Sequence, residues 1–183
     1  MTKVESKIKN KSTYFSSLKS IKIRYITLLI LGIGIFGCTD TKSDKSTDKV
    51  IEPKISINEI YDNKLKKFDK NQVGSLNHYK NISKESDSVF LSELNSKIIP
   101  KWEENINIIK ELNTIDNLSS EMVDRNKVLL RYSKLRLEAF LLIKKAVTED
   151  TNDYVSQVDE LSLQINNEID KIEKLNLQQK TGK

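Results

Sequence analysis

Cysteine, histidine, proline and glycine are all scarce in this chain of 183 residues, which holds one Cys, one His, two Pro and five Gly. Each shortage excludes something. A single cysteine, Cys38, permits no disulfide within the chain, so stability has to come from packing. One histidine, His78, cannot build the paired Glu-x-x-His motifs of a di-iron bundle, and structural zinc needs several Cys or His. We therefore expect no metal and no cofactor, with His78 at the surface or at a boundary. Beyond residue 38 only Pro53, Gly74, Pro100 and Gly182 can punctuate the chain, too few turns for an all-β fold. No Gly-rich phosphate loop and no Gly-x-Ser-x-Gly elbow occurs. Acidic neighbours such as Glu103 and Glu104 point apart on a helix, so they make no acid/base dyad. The expectation is a protein that is not an enzyme.

An excess of one charge sign is also missing where it would matter. The whole chain is formally +5. Residues 1–37 hold seven Lys/Arg against one Glu, whereas residues 38–183 hold 24 Lys/Arg against 25 Asp/Glu. The basic excess is confined to the N-terminal leader, so nucleic acid is not an expected partner.

Long apolar runs are limited to one, residues 25–37, preceded by Lys22 and Arg24. A helix crossing a bilayer needs about 20 apolar residues, while a secretory leader needs roughly 7–15. This run falls in the shorter class, and Gly32 and Gly34 weaken it as a permanent helix. It ends at Ile35-Phe36-Gly37-Cys38.

Those four residues resemble the lipobox of bacterial lipoproteins: an aliphatic residue three before the cysteine, a small residue just before it, then Cys. Phe36 departs from the small or moderate residue usual at its position. The resemblance implies a signal peptide over residues 1–37 and diacylglyceryl transfer to the Cys38 sulfur. It further implies cleavage between Gly37 and Cys38. The membrane partner would then be reached through lipid on Cys38, placing the protein in the cell envelope. Thr39 is not the aspartate that holds many Gram-negative lipoproteins in the inner membrane, so the outer membrane is favoured by the same resemblance.

Residues 39–54 alternate Asp and Lys around few apolar side chains and read as a tether, so residues 38–55 are expected to hold the domain some 20–25 Å from the lipid. From residue 56 to 177 the apolar residues take helical spacing, and the expected fold class is all-α, an up-and-down bundle of about four helices. The first segment, residues 56–79, aligns Ile57, Ile60, Tyr61, Leu65, Phe68, Val73, Leu76 and Tyr79. The second, residues 87–112, carries Phe90, Leu94, Ile98, Trp102, Ile109 and Leu112, with a kink or restart expected at Pro100 and Trp102 a candidate core anchor. The third, residues 119–148, is centred on Met122, Leu129, Leu137, Phe140 and Val147, with Ser119 a plausible N-cap. The fourth, residues 152–175, is a narrow stripe of Tyr154, Val158, Leu161, Ile165, Ile169, Ile172 and Leu175. Residues 178–183 are expected to fray.

The hydrophobic phase nearly lets the third and fourth segments run as one helix. Charge argues for a hairpin. Residues 119–148 hold seven basic and three acidic groups, and residues 149–175 two basic and eight acidic. Lys144 and Lys145 suit a helix C-terminus, and Glu149, Asp150 and Asp153 suit the start of the next.

One feature of the third segment invites a functional reading. Arg125 and Arg136 fall inside its apolar arc, flanking Tyr132, and Asn126 and Ser133 also face inward. Asn in a seam fixes register, inward-edge Arg can snorkel, and Glu168 is a candidate internal partner. Alternatively, Arg125, Tyr132 and Arg136 form a small anion or carboxylate site, because guanidinium forks match carboxylates. The function expected is a membrane-anchored envelope lipoprotein with a protein partner, and a small-ligand binding bundle is the alternative.

Overall fold

The computed structural model describes residues 56–181. The leader, Gly37, Cys38, the tether and residues 182–183 lie outside them. The described chain forms α1 (Ile57–Ile82), α2 (Asp87–Glu93), a π-helical turn (Leu94–Ile98), α3 (Ile99–Leu112), α4 (Ser120–Glu149) and α5 (Val155–Thr181). No strand occurs among the described residues, and α2, the π turn and α3 follow one another without a break, so the fold is an all-α bundle of four rods.

Local chemistry starts and stops the rods. The Ser56 hydroxyl accepts from the Glu59 backbone N–H at 3.1 Å, the first half of a Ser-x-x-Glu capping pattern. Ser119 caps α4 in the same way, accepting from Met122 N–H at 3.3 Å, with Glu121 in the positive first turn. Asp150 ends α4 in the left-handed region at φ 51°, where the backbone N–H groups of Asp150 and Thr151 both reach the Ala146 carbonyl. Asp is one of the few side chains that visits this region readily. The chain thus turns between α4 and α5, and the two rods pack along their lengths. Across the turn Lys145 sits 4.8 Å from the Tyr154 ring centroid, and Tyr154 Oη donates to Glu149 at 2.6 Å.

Pro100 marks the restart expected in the second rod, where α3 begins at Ile99. It lies in the first turn of α3, where its missing N–H matters least, and the preceding turn widens instead. Ile99 N–H donates to the Leu94 carbonyl, five residues back. The extra residue has a use. Phe90, Leu94, Ile98 and Trp102 are spaced by four, which drifts about 40° per step on a plain α-helix. The wider turn counters that drift, and all four side chains are fully buried.

The rods run up, down, up, down. Lys64 pairs with Glu111 and His78 with Glu93, so α1 lies antiparallel to the second rod. Arg131 meets Glu168 while Lys145 meets Tyr154, so α4 and α5 are antiparallel too. α4 is the central rod, in extensive contact with α3 on one side and α5 on the other, whereas α1 and α5 scarcely approach each other. The core is aromatic where α1, the second rod and α4 converge. Tyr79 meets Phe90 and Phe140 edge-on at 5.9 and 5.1 Å, and Trp102 meets Tyr132 at 5.6 Å. Each such buried ring contributes roughly 1.5–3 kcal/mol through burial alone. Along the other seam Val158, Leu161, Ile165, Ile169 and Ile172 close α5 onto α4.

Two details of the sequence reading are corrected. Ile57, Ile60 and Val73, which the apolar spacing places on the inner side of α1, are exposed. The buried stripe is Tyr61, Leu65, Phe68, Gln72, Ser75, Leu76 and Tyr79, so the in-phase positions beside Val73 belong to polar residues. At the other end, α5 continues as helix to Thr181, into the stretch expected to fray.

Candidate functional site

The structure divides the three candidate residues into two groups. Tyr132 and Arg136, one turn apart on α4, are brought together in the interior, at 1% and 0% exposure. Arg136 Nε donates to Tyr132 Oη at 3.2 Å, and the guanidinium carbon lies 5.2 Å from the Tyr132 ring centroid. Trp102 stacks edge-on against the same ring and lies 6.3 Å from Phe140. The guanidinium is thus held beside the Tyr132 ring, where a planar cation is well accommodated.

Arg125, partly buried, belongs to a separate group near the N-terminus of α4. There Tyr61 Oη donates to Asn126 Oδ1 at 2.8 Å, and Asn126 Nδ2 donates to Asn113 Oδ1 at 3.0 Å. This chain of amides and phenol ties α1, the α3–α4 connection and α4 in one register, the seam role that asparagine commonly takes. Burial pushes the Tyr61 phenol up to about 12, although the Arg125 charge opposes this. Burial likewise raises the Asp69 carboxyl from 3.8 to about 6, again with Arg125 opposing. Ser133, the other inward polar residue, donates to the Leu129 carbonyl one turn back at 2.8 Å.

Glu168 is buried and accepts from Arg131 at 3.1 Å and Lys171 at 2.8 Å through one oxygen. Arg131 supplies this cross-rod pair through Nε, although 63% of its side chain is exposed. His78 is a boundary residue. Its Nε2 lies 2.5 Å from Glu93 Oε2, which Lys97 also reaches at 2.7 Å. The Lys97 and His78 hydrogen bonds hold the Glu93 carboxyl below the ordinary carboxylate value. Among the described residues no cluster of His, Cys, Asp or Glu has the makings of a metal site, and no helix is long and apolar enough to cross a membrane.

Sequence reasoning passed over Asp69, Gln72, Ser75 and Asn105, each of which places a polar atom in the interior. Their phase would have found them. Gln72 and Ser75 follow Phe68 by four and seven residues, and Asn105 follows Trp102 by three.

The fold and this interior define an all-α bundle built around one aromatic layer. Comparison with known proteins finds no matching family model, and no significantly similar curated protein or solved structure.

Proposed function

We propose that this chain is a lipid-anchored protein of the bacterial cell envelope whose helical domain binds another protein, or assists its assembly, without catalysis. The observation that carries the reading is the position of Cys38. The chain's one cysteine stands directly after Gly37, at the end of the apolar run that follows Lys22 and Arg24. The helical domain begins at residue 57, far enough along the chain for residues 38–55 to act as a spacer. Some of the described ionisable groups join into inter-rod pairs, such as Lys67 with Glu104 and Arg131 with Glu168, which gives those groups structural work. Leu163 and Leu177 on α5 and Leu141 on α4 supply exposed apolar contacts for a partner.

Mass spectrometry of the membrane-extracted protein tests the anchor. The expected species begins at a diacylglyceryl-modified Cys38 and loses its acyl mass and its membrane fractionation in Cys38→Ser. An intact precursor, still beginning at Met1 with a free thiol, would overturn the reading. Cross-linking of the anchored protein in cells tests the interaction role; substrate turnover without any cross-linked partner would defeat it.

The second reading, a small anion or carboxylate site, narrows from Arg125, Tyr132 and Arg136 to the Tyr132–Arg136 pair because Arg125 lies in a separate group, and it draws support from the full burial of Arg136. Thermal shift against small carboxylates and phosphate tests it. Stabilisation that disappears in Arg136→Lys is expected on this reading, and no stabilisation would sink it.

A further inference from the structure

Two stripes of opposite charge face outward once the core is closed. On α4 the exposed residues Lys127, Arg131, Lys134, Glu138, Leu141 and Lys145 follow one another in steps of four and three. On α5 the residues Asp159, Leu163, Asn166, Asp170, Glu173 and Leu177 do the same, and all are exposed except the half-buried Asp159 and Asn166. Such steps keep a stripe on one side of a helix and are the spacing with which helices pack along one another. α5 has room for a further neighbour, because α4 is the only rod it packs closely against. The α4 stripe holds four cations and one carboxylate, and the α5 stripe three carboxylates and no cation. Lys134, Asp170 and Glu173 join no ion pair among the described residues. Arg131 reaches Glu168 through Nε, and a guanidinium has further donors in its fork.

The stripes match when laid antiparallel. Setting Leu141 against Leu163 puts Lys145 against Asp159, Lys134 against Asp170 and Arg131 against Glu173, with Glu138 against the neutral Asn166. Sliding by one heptad in either direction parts the leucines and sets Glu138 against Asp159 or against Glu173. Opposed carboxylates thus penalise both neighbouring registers. Within one copy the two rods meet differently, with Arg131 level with Glu168 and Lys145 level with Tyr154. The stripe register is five residues, about 7.5 Å, out of step with that pairing. A two-fold axis along the rods keeps every level unchanged, so it does not generate the stripe contact. Two copies meet through it only head to tail.

We propose that the partner of the helical domain is a second copy of this chain, whose α4 stripe packs antiparallel on the α5 stripe of the first. Each copy then has one stripe left to offer, so the contact repeats into an open row of copies. Exposed ion pairs contribute little one at a time, and a lipid anchor at Cys38 supplies the local concentration such a contact needs. The proposal rests on the interaction role above and names its partner. The contact itself involves no lipid, so its failure leaves the anchor reading standing.

Two differently tagged copies of the full chain are co-expressed, one with Leu141→Cys and the other with Leu163→Cys, and the cells are oxidised briefly. The expected product is a disulfide-linked band that carries both tags. It is absent when either substitution is omitted, which also controls for the native Cys38 thiol. Lys134→Asp in the Leu141→Cys copy should remove the band, and Asp170→Lys in the Leu163→Cys copy should then restore it. No band, an equal band from the slipped pair Leu141→Cys with Asp170→Cys, or a band indifferent to Lys134→Asp would overturn the proposal. Should Lys134→Asp fail to fold, Asn166→Lys in the Leu163→Cys copy decides, because it faces Glu138: a stronger band supports the contact, and an unchanged or weaker one refutes it.

Discussion

Replacing Asp69 by Asn should stabilise the protein near neutral pH and leave it little changed in acid. Asp69 is partly buried on α1, one of its carboxylate oxygens has no hydrogen-bond partner, and its pKa rises from 3.8 to about 6 through burial. A carboxyl whose folded value is raised binds its proton more tightly in the folded state. Below pH 3.8 both states are protonated and the group is silent. Between 3.8 and about 6 the unfolded chain ionises first, so stability falls as pH rises. Above that window the folded state carries a poorly solvated charge. The interval corresponds to about 3 kcal/mol, and solvent screening of a partly exposed group reduces this to about 1–3 kcal/mol. Urea unfolding, followed by Trp102 fluorescence at a series of pH values, measures it. The difference between Asp69→Asn and the parent removes the contribution of every other carboxyl. That difference should grow from near zero below pH 4 to about 1–3 kcal/mol at pH 7, a midpoint shift of about 0.5–1.5 M urea. A difference independent of pH, or a variant that becomes the less stable one as pH rises, would refute the reasoning. It would mean that Arg125 stabilises the ionised carboxylate more than burial penalises it.

The ion pair beside the π turn has the opposite sign. The Glu93 carboxyl is held low by Lys97 and His78, so its contribution is present above the ordinary value of 4.5 and disappears as pH falls through the lowered one; Glu93→Gln should remove that acid-side loss in the same titration. Trp102→Ala should cost about 3–5 kcal/mol in urea unfolding monitored by circular dichroism, because the ring is fully buried against Tyr132 and Phe140. Gly74→Ala should stabilise by about 0.5–1 kcal/mol in the same measurement. The only close atoms belong to the flexible end of Lys101, which can move aside; a loss of stability would show that it cannot.

The rods could be read from the chain because their apolar residues are dense and in phase. The α5 stripe from Val158 to Ile172 sits in the interior as its spacing requires. The break between α4 and α5 was visible only in the charges, since the hydrophobic phase runs on past Asp150. Those charges mark the turn, while the seam itself is closed mainly by aliphatic contacts such as Val158 and Ile165. The polar interior was harder. Val73 is apolar but exposed, whereas Gln72 is polar yet has the better phase and is buried, so side-chain type and position point opposite ways here. The pairing of Tyr132 with Arg136 follows from their spacing of one turn. The separation of Arg125 from that pair does not, because it depends on Tyr61 and Asn126 meeting across rods.

The wide turn at Leu94–Ile98 makes the second rod unusual in its tolerance of length. In an ordinary helix, removing one residue rotates everything beyond it by about 100°. Here a single deletion between Leu94 and Ile98 would let the backbone relax to normal pitch while Phe90 and Trp102 kept their orientations, so a scan of one-residue deletions should find its mildest defect at this point.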